Sequence, residues 1–202
     1  MAIQVIVFDF GGVLLDWNPH YLYQKFFDGD QKGMENFLHE IDFATWNAEQ
    51  DKGRPFSEAV ALLSEQFPQY ARLIRAYPEQ WEESIGGAID GTVEILARLK
   101  QQGYALYGLS NWSAETYPRV QHKFEFFSWF DGIVLSGEVK LAKPDPKIYQ
   151  LVLDKAGVPA GDCLFIDDSL KNIEAAKALG FLTVHFQSPE QLETDLANLG
   201  IL

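Results

Sequence analysis

Short, unbroken apolar runs alternate with helical patterns over the second half of the chain. An earlier stretch is helical throughout. The first run, Ile3-Gln4-Val5-Ile6-Val7-Phe8, is rich in β-branched residues and reads as a parallel strand buried on both faces. Further strands are expected at 104–109, 133–135, 163–166 and 182–186. Between them, apolar residues recur at helical spacing at 93–100, 146–156 and 173–179, each on one face only. Gly103 stops the first of these helices. Ser188-Pro189-Glu190-Gln191 combines a capping serine, a proline at the first helical position and a glutamine at the end of the box, so a last helix begins there. Strands alternating with helices predict an α/β fold with a doubly wound parallel sheet.

The segment 16–88 differs. Tyr21, Leu22, Phe26 and Phe27, then Phe37, Leu38 and Ile41, then Ala59, Val60, Leu62, Leu63 and Phe67 follow helical periods. Breakers such as Asp28-Gly29-Asp30, Gly53-Arg54-Pro55 and Gly86-Gly87 separate the pieces. No strand is expected here. The division predicted is a core of 1–15 and 89–202 with a helical bundle, 16–88, inserted after the first strand.

Composition narrows the partners. A chain of 202 residues has room for one core domain and a modest insertion. A formal net charge of -13 without a Lys/Arg cluster argues against nucleic acid and anionic membranes. No apolar segment approaches the ~20 residues of a membrane span, and the N-terminus lacks a signal-peptide pattern, so a cytoplasmic protein is expected. The single cysteine, Cys163, lies inside an apolar run and reads as a small core residue.

Candidate chemistry collects at strand ends. The first strand ends in Asp9, the second in Ser110-Asn111, and the fourth in Asp167-Asp168, while Lys143 follows the third. In open α/β sheets, ligands bind beyond the carboxyl ends of strands. Carboxylates converging there repel unless a hard cation lies between them, so Asp9 with the Asp167-Asp168 pair suggests a magnesium site with a carboxylate nucleophile. Singly, each residue has a plainer reading, since Asp and Asn after strands commonly cap helices and lysines commonly sit in solvent.

In combination, Asp9-Phe10-Gly11-Gly12-Val13-Leu14, Leu109-Ser110-Asn111, Lys143-Pro144-Asp145-Pro146 and Asp167-Asp168 with Asn172 a turn later resemble the four ordered motifs of the haloacid dehalogenase (HAD) superfamily. The resemblance spans essentially the whole chain, and 16–88 falls where that family inserts its α-helical cap into a Rossmann-like core. It implies that Asp9 attacks phosphorus to form an aspartyl-phosphate. It also implies that Asp9, the Gly11 carbonyl, Asp167 and Asp168 hold Mg²⁺, and that Ser110, Asn111 and Lys143 bind phosphoryl oxygens. The expected substrate is a small phosphorylated metabolite.

One position departs from the pattern. Family phosphatases usually carry a second Asp two residues after the nucleophile, where this chain has Gly11. One reading is a substrate whose leaving group departs with little help, such as a sugar 1-phosphate or acyl phosphate; similar bacterial sugar-1-phosphate phosphatases share the glycine. Another is that a different group, with His20 a candidate, handles the proton. A third is loss of phosphatase activity. The family's 2-haloacid dehalogenases also lack the second Asp and are the main enzymatic alternative, although the acidic pair would repel a haloacid carboxylate. A non-catalytic phosphoacceptor or phosphometabolite-binding protein is the alternative from another class. Receiver domains place the acidic pair first and the lysine last, opposite to the order here. Trp17 and Asn18, close after the catalytic turn, are the candidates for substrate specificity. Trp112 is another, and Tyr21, Tyr23, Trp46 and Trp81 are further aromatics able to line a pocket or pack a core.

Overall fold

A computed structural model describes residues 3–202. Its core is a five-stranded, wholly parallel sheet in the order β5-β4-β1-β6-β7. The strands are β1 (Val5–Phe8), β4 (Ala105–Ser110), β5 (Gly132–Leu135), β6 (Cys163–Asp167) and β7 (Leu182–His185). Alternation along β1 sends side chains into two separate cores. Ile6 and Phe8 join one with Leu106, Leu164 and Ile166, while Val5 and Val7 join the other with Leu109, Val134 and Phe165. Burial on both faces explains why these strands read as continuous apolar runs.

Helices cover both faces: α6 (Asp90–Gln101), α7 (Tyr117–Val120), α8 (Ser136–Val139), α9 (Pro146–Ala156), α10 (Leu170–Ala178) and α11 (Pro189–Asn198). Asp145 caps α9 by accepting from the Lys147 amide at 2.9 Å, and Pro146 occupies the first helical position. At α11, the Ser188 hydroxyl accepts from Gln191 N at 3.2 Å, as the capping pattern requires. Helix α10 starts at Leu170 rather than 173, and the apolar pattern does not mark its first turn because Leu170 is exposed.

The inserted segment carries α1 (Pro19–Tyr23), α2 (Gln31–Glu40), α3 (Phe43–Asp51), α4 (Phe56–Gln66) and α5 (Ala71–Glu79). Their core is aromatic, with Tyr23, Phe37, Phe43, Trp46 and Tyr77 in edge-on or tilted contact. The expectation of no strand in this segment is corrected. Here β2 (Leu15–Trp17) and β3 (Ile85–Ala88) pair antiparallel and form a ribbon where the chain leaves and re-enters the core. Three- and four-residue strands are too short to show a period. The Gly86-Gly87 pair also masks β3, and Gly86 is there for space, since a Cβ would lie 2.6 Å from Asp16 Oδ2. Among the described residues, no helix is long and apolar enough to cross a membrane.

Candidate active site

Because the sheet is parallel, the ends of β1, β4 and β6 open on one edge, with β1 in the middle. Asp9 follows β1, anchored by its amide to Ile166 O at 2.9 Å. Its Oδ1 accepts three hydrogen bonds: Phe10 N at 2.7 Å, the Ser110 hydroxyl at 2.8 Å and Lys143 Nζ at 2.9 Å. These fix the carboxyl's orientation. Oδ2 takes no hydrogen bond among the described residues.

Lys143 bridges two carboxylates. Its ammonium donates to Asp167 Oδ2 at 2.7 Å and to Leu109 O at 2.8 Å besides meeting Asp9. Asp167 is fully buried, and its Oδ1 also accepts from Ser169 N at 2.8 Å and Asn172 Nδ2 at 3.0 Å. Burial alone would lower the lysine's pKa, but Asp9 and Asp167 outweigh it and hold Lys143 charged. At Asp9 burial wins, pushing the carboxyl up, with Lys143 pulling back and Asp167 adding to the rise.

Asp9, Asp167 and Asp168 each offer a carboxylate oxygen, and these oxygens lie within 4.8 Å of one another. Burial, then the neighbouring Asp167, raises Asp168 as well. Gly12 makes this convergence possible, because it has φ +74° and a Cβ there would stand 2.3 Å from Asp168 Oδ2. A hard donor set of three oxygens, two of them on groups that burial strains toward the neutral form, fits a divalent cation such as Mg²⁺. Gly11, the remaining expected ligand, lines the same cavity.

Over these groups lies a cavity of about 390 Å³. Its floor is Asp9, Gly11, Gly12, Ser110, Asn111 and Asp168, and its other walls include Trp17, Trp81, Trp112, Tyr77 and Ile85 from the ribbon, the helical insertion and the loop after β4. Trp81 and Trp112 meet across the seam with ring centroids 5.4 Å apart. Trp17 Nε1 is buried with no hydrogen-bond partner among the described residues.

Not every expected residue reaches the cavity with its side chain. Asn18 caps α1, accepting from His20 N at 3.0 Å, and neither Asn18 nor His20 lines the cavity. Tyr21 instead donates to Asp16 Oδ2 at 2.7 Å, while Tyr23 and Trp46 pack the helical core. Asn111 lines the cavity, yet its amide group is bonded at both ends to the Lys143 main chain. Two residues that the sequence reading passes over, Asn47 and Asp51, enter from α3. Nothing local marks them, since Asp51-Lys52-Gly53 looks like an ordinary helix end.

The comparison with known proteins agrees with this geometry. The model of the haloacid dehalogenase-like hydrolase family matches residues 3–180, and the chain belongs to that family. A sesquiterpene phosphatase from Aspergillus oryzae is 29% identical over 185 residues, 91% of this chain and 90% of the relative. A phosphorylated carbohydrates phosphatase from Thermotoga maritima is 24% identical over 186 residues, 91% of this chain and 84% of the relative. Among solved structures, a HAD family enzyme from Bacteroides thetaiotaomicron in complex with magnesium and inorganic phosphate superposes with a TM-score of 0.71 at 26% identity, covering 93% of this chain and 96% of that one. The protein is a HAD-family hydrolase.

Proposed function

We propose that this hydrolase is a Mg²⁺-dependent phosphatase of small phosphorylated metabolites that works through an aspartyl-phosphate on Asp9. The observation that carries the reading is the Asp9–Lys143–Asp167 arrangement beside Asp168, a carboxylate held in one rotamer within an oxygen-rich cation site. Mg²⁺, held by Asp9, Asp167, Asp168 and the Gly11 carbonyl, would neutralise charge on the phosphoryl group. An oxygen of Asp9 attacks phosphorus, and water later cleaves the acyl phosphate, splitting one displacement into two. The Ser110 hydroxyl, the Asn111 main-chain N–H and the Lys143 ammonium hold phosphoryl oxygens. Asn111 also fixes the Lys143 main chain. The core of 1–15 and 89–202 supplies this machinery, and the cap of 16–88 covers it.

The apolar walls favour a leaving group with a nonpolar face. A sugar 1-phosphate presents its C–H face to Trp17, Trp81 or Trp112, and a prenyl phosphate presents a whole chain. The second is supported by the sesquiterpene phosphatase relative, the first by the carbohydrate phosphatase. The acidic pair disfavours a 2-haloacid, whose carboxylate would meet Asp168 at the cavity floor. The test is phosphate and halide release from sugar phosphates, prenyl phosphates, acyl phosphates and 2-haloacids, with Mg²⁺ and with chelator. Mg²⁺-dependent phosphate release is expected, and chelator-insensitive halide release would overturn the reading.

A further inference from the structure

With glycine at position 11, the floor of the site has no carboxyl two residues after Asp9 to protonate the leaving group. Asp9 and Asp168 belong to the cation cluster, and burial holds the Tyr77 phenol, which accepts from Trp81 Nε1 at 3.1 Å, far above its ordinary range and so a poor acid. Among the carboxyl groups lining the cavity, that leaves Asp51, the last residue of α3.

Asp51 is held in place from both sides. Asn47, one turn earlier on α3, donates from Nδ2 to Asp51 Oδ2 at 3.0 Å. The Asp51 carbonyl accepts from the Ser136 hydroxyl, which itself accepts from Trp112 N at 2.9 Å. The end of α3 is thereby tied to the loop that carries Asn111. The cations beside Asp51 in sequence are turned elsewhere, Lys52 to Glu49 at 2.8 Å and Arg54 to Gln50 at 2.7 Å. No salt bridge to Asp51 forms among the described residues.

We propose that Asp51 is the proton donor and acceptor of the reaction, delivered to the site by the cap in place of the side chain that position 11 lacks. Its ionisation suits the task, because burial pushes its carboxyl up to about 8, a hydrogen bond from the Ser113 main chain pulls back and the negative Asp9 adds to the rise. In the first step the Asp9 oxygen bonds to phosphorus, and the bond from phosphorus to the leaving oxygen breaks. That oxygen keeps the electron pair and takes the Asp51 proton, leaving as an alcohol. In the second step water attacks phosphorus, Asp51 carboxylate takes one of its protons, and the bond from phosphorus to Asp9 breaks to give phosphate. Asp51 ends as it began.

The inference rests on the phosphatase reading, and leaving-group dependence separates the two. An aryl phosphate with an acidic phenol needs no proton donor, whereas a primary alkyl phosphate does. Asp51→Asn keeps the size and the Asn47 contact site, and the first-turnover burst of p-nitrophenol, which precedes the step that needs a base, reports on its folding. The expected result is a loss of about 100-fold or more in kcat/KM for the alkyl phosphate, with kcat/KM for the aryl phosphate, set by departure of the phenol, nearly unchanged while its kcat falls for want of the base. Equal loss on both substrates, or loss on neither, overturns the assignment of Asp51 while leaving the phosphatase intact. Absence of any Asp9-dependent phosphate release from the wild type overturns the phosphatase reading and this inference together.

Discussion

Asn111 grips the main chain of Lys143 at both ends, its Oδ1 accepting from Lys143 N at 2.8 Å and its Nδ2 donating to Lys143 O at 3.0 Å. The residue after β4 thereby sets where the lysine's ammonium sits between Asp9 and Asp167. Asn111→Ala frees that backbone, and a displacement of the order of 1 Å costs up to about 100-fold in rate. The expected outcome is a fall in kcat with Asp9 still able to be phosphorylated. Steady-state kinetics checks it, and unchanged kcat would remove the positioning role.

Lys143→Met leaves Asp9 and Asp167 buried without their common cation. Breaking a buried pair by removing one partner costs about 3–5 kcal/mol, so urea unfolding at neutral pH is expected to show a loss of that order. Without the ammonium, nothing offsets the burial that raises the Asp9 carboxyl, which then holds its proton more tightly still in the folded protein than in the unfolded one. Folding then takes up protons, and the variant's deficit is expected to shrink toward acid pH.

Two adjacent glycines are expected to respond in opposite ways. A Cβ at Gly11 meets nothing within 4 Å, so Gly11→Asp should fold with an unchanged Tm and, by adding a second proton donor, raise turnover of poor leaving groups. At Gly12 the φ of +74° and the 2.3 Å approach of Asp168 Oδ2 make Gly12→Ala displace an acidic ligand. That variant should need a higher Mg²⁺ concentration for activity, read from a metal titration.

The raised carboxyl of Asp51 gives a signed pH dependence. Between the ordinary carboxylate value of 3.8 and its folded value of about 8, the folded protein binds the proton that the unfolded chain has released. The stability contributed by this group therefore falls as pH rises through that window and is flat outside it. Asp51→Asn removes the effect. Its Tm relative to wild type is expected to be higher at pH 8 than at pH 5. Scanning calorimetry at the two pH values measures it.

The core strands were legible because burial on both faces writes each as an apolar run, and Asp9, Ser110 and Asp167 could be read from where those runs stop. Lys143 follows no strand directly; it was legible through the Lys-Pro-Asp-Pro motif that starts α9. The β2–β3 ribbon was not legible, because its strands are shorter than any period and one contains two glycines. The aromatics of the insertion divide between cavity and core by their position in three dimensions. Trp17 and Trp81 line the cavity while Tyr23 and Trp46 do not, although all four stand in similar helical or hinge contexts. Asp51 was invisible for a related reason. Its environment is made by Ser113, Ser136 and Asp9, all distant in sequence, and a helix-end aspartate carries no trace of them.

The whole mechanism turns on phosphorylation of Asp9. Acid-quenched enzyme taken during turnover with Mg²⁺ and substrate, reduced with borohydride and mapped by mass spectrometry, converts an aspartyl-phosphate into homoserine at its position. Homoserine is expected at position 9 in the wild type and none in Asp9→Asn, which also releases no phosphate. Phosphate release with no acyl phosphate at position 9, or sustained by Asp9→Asn, would contradict it.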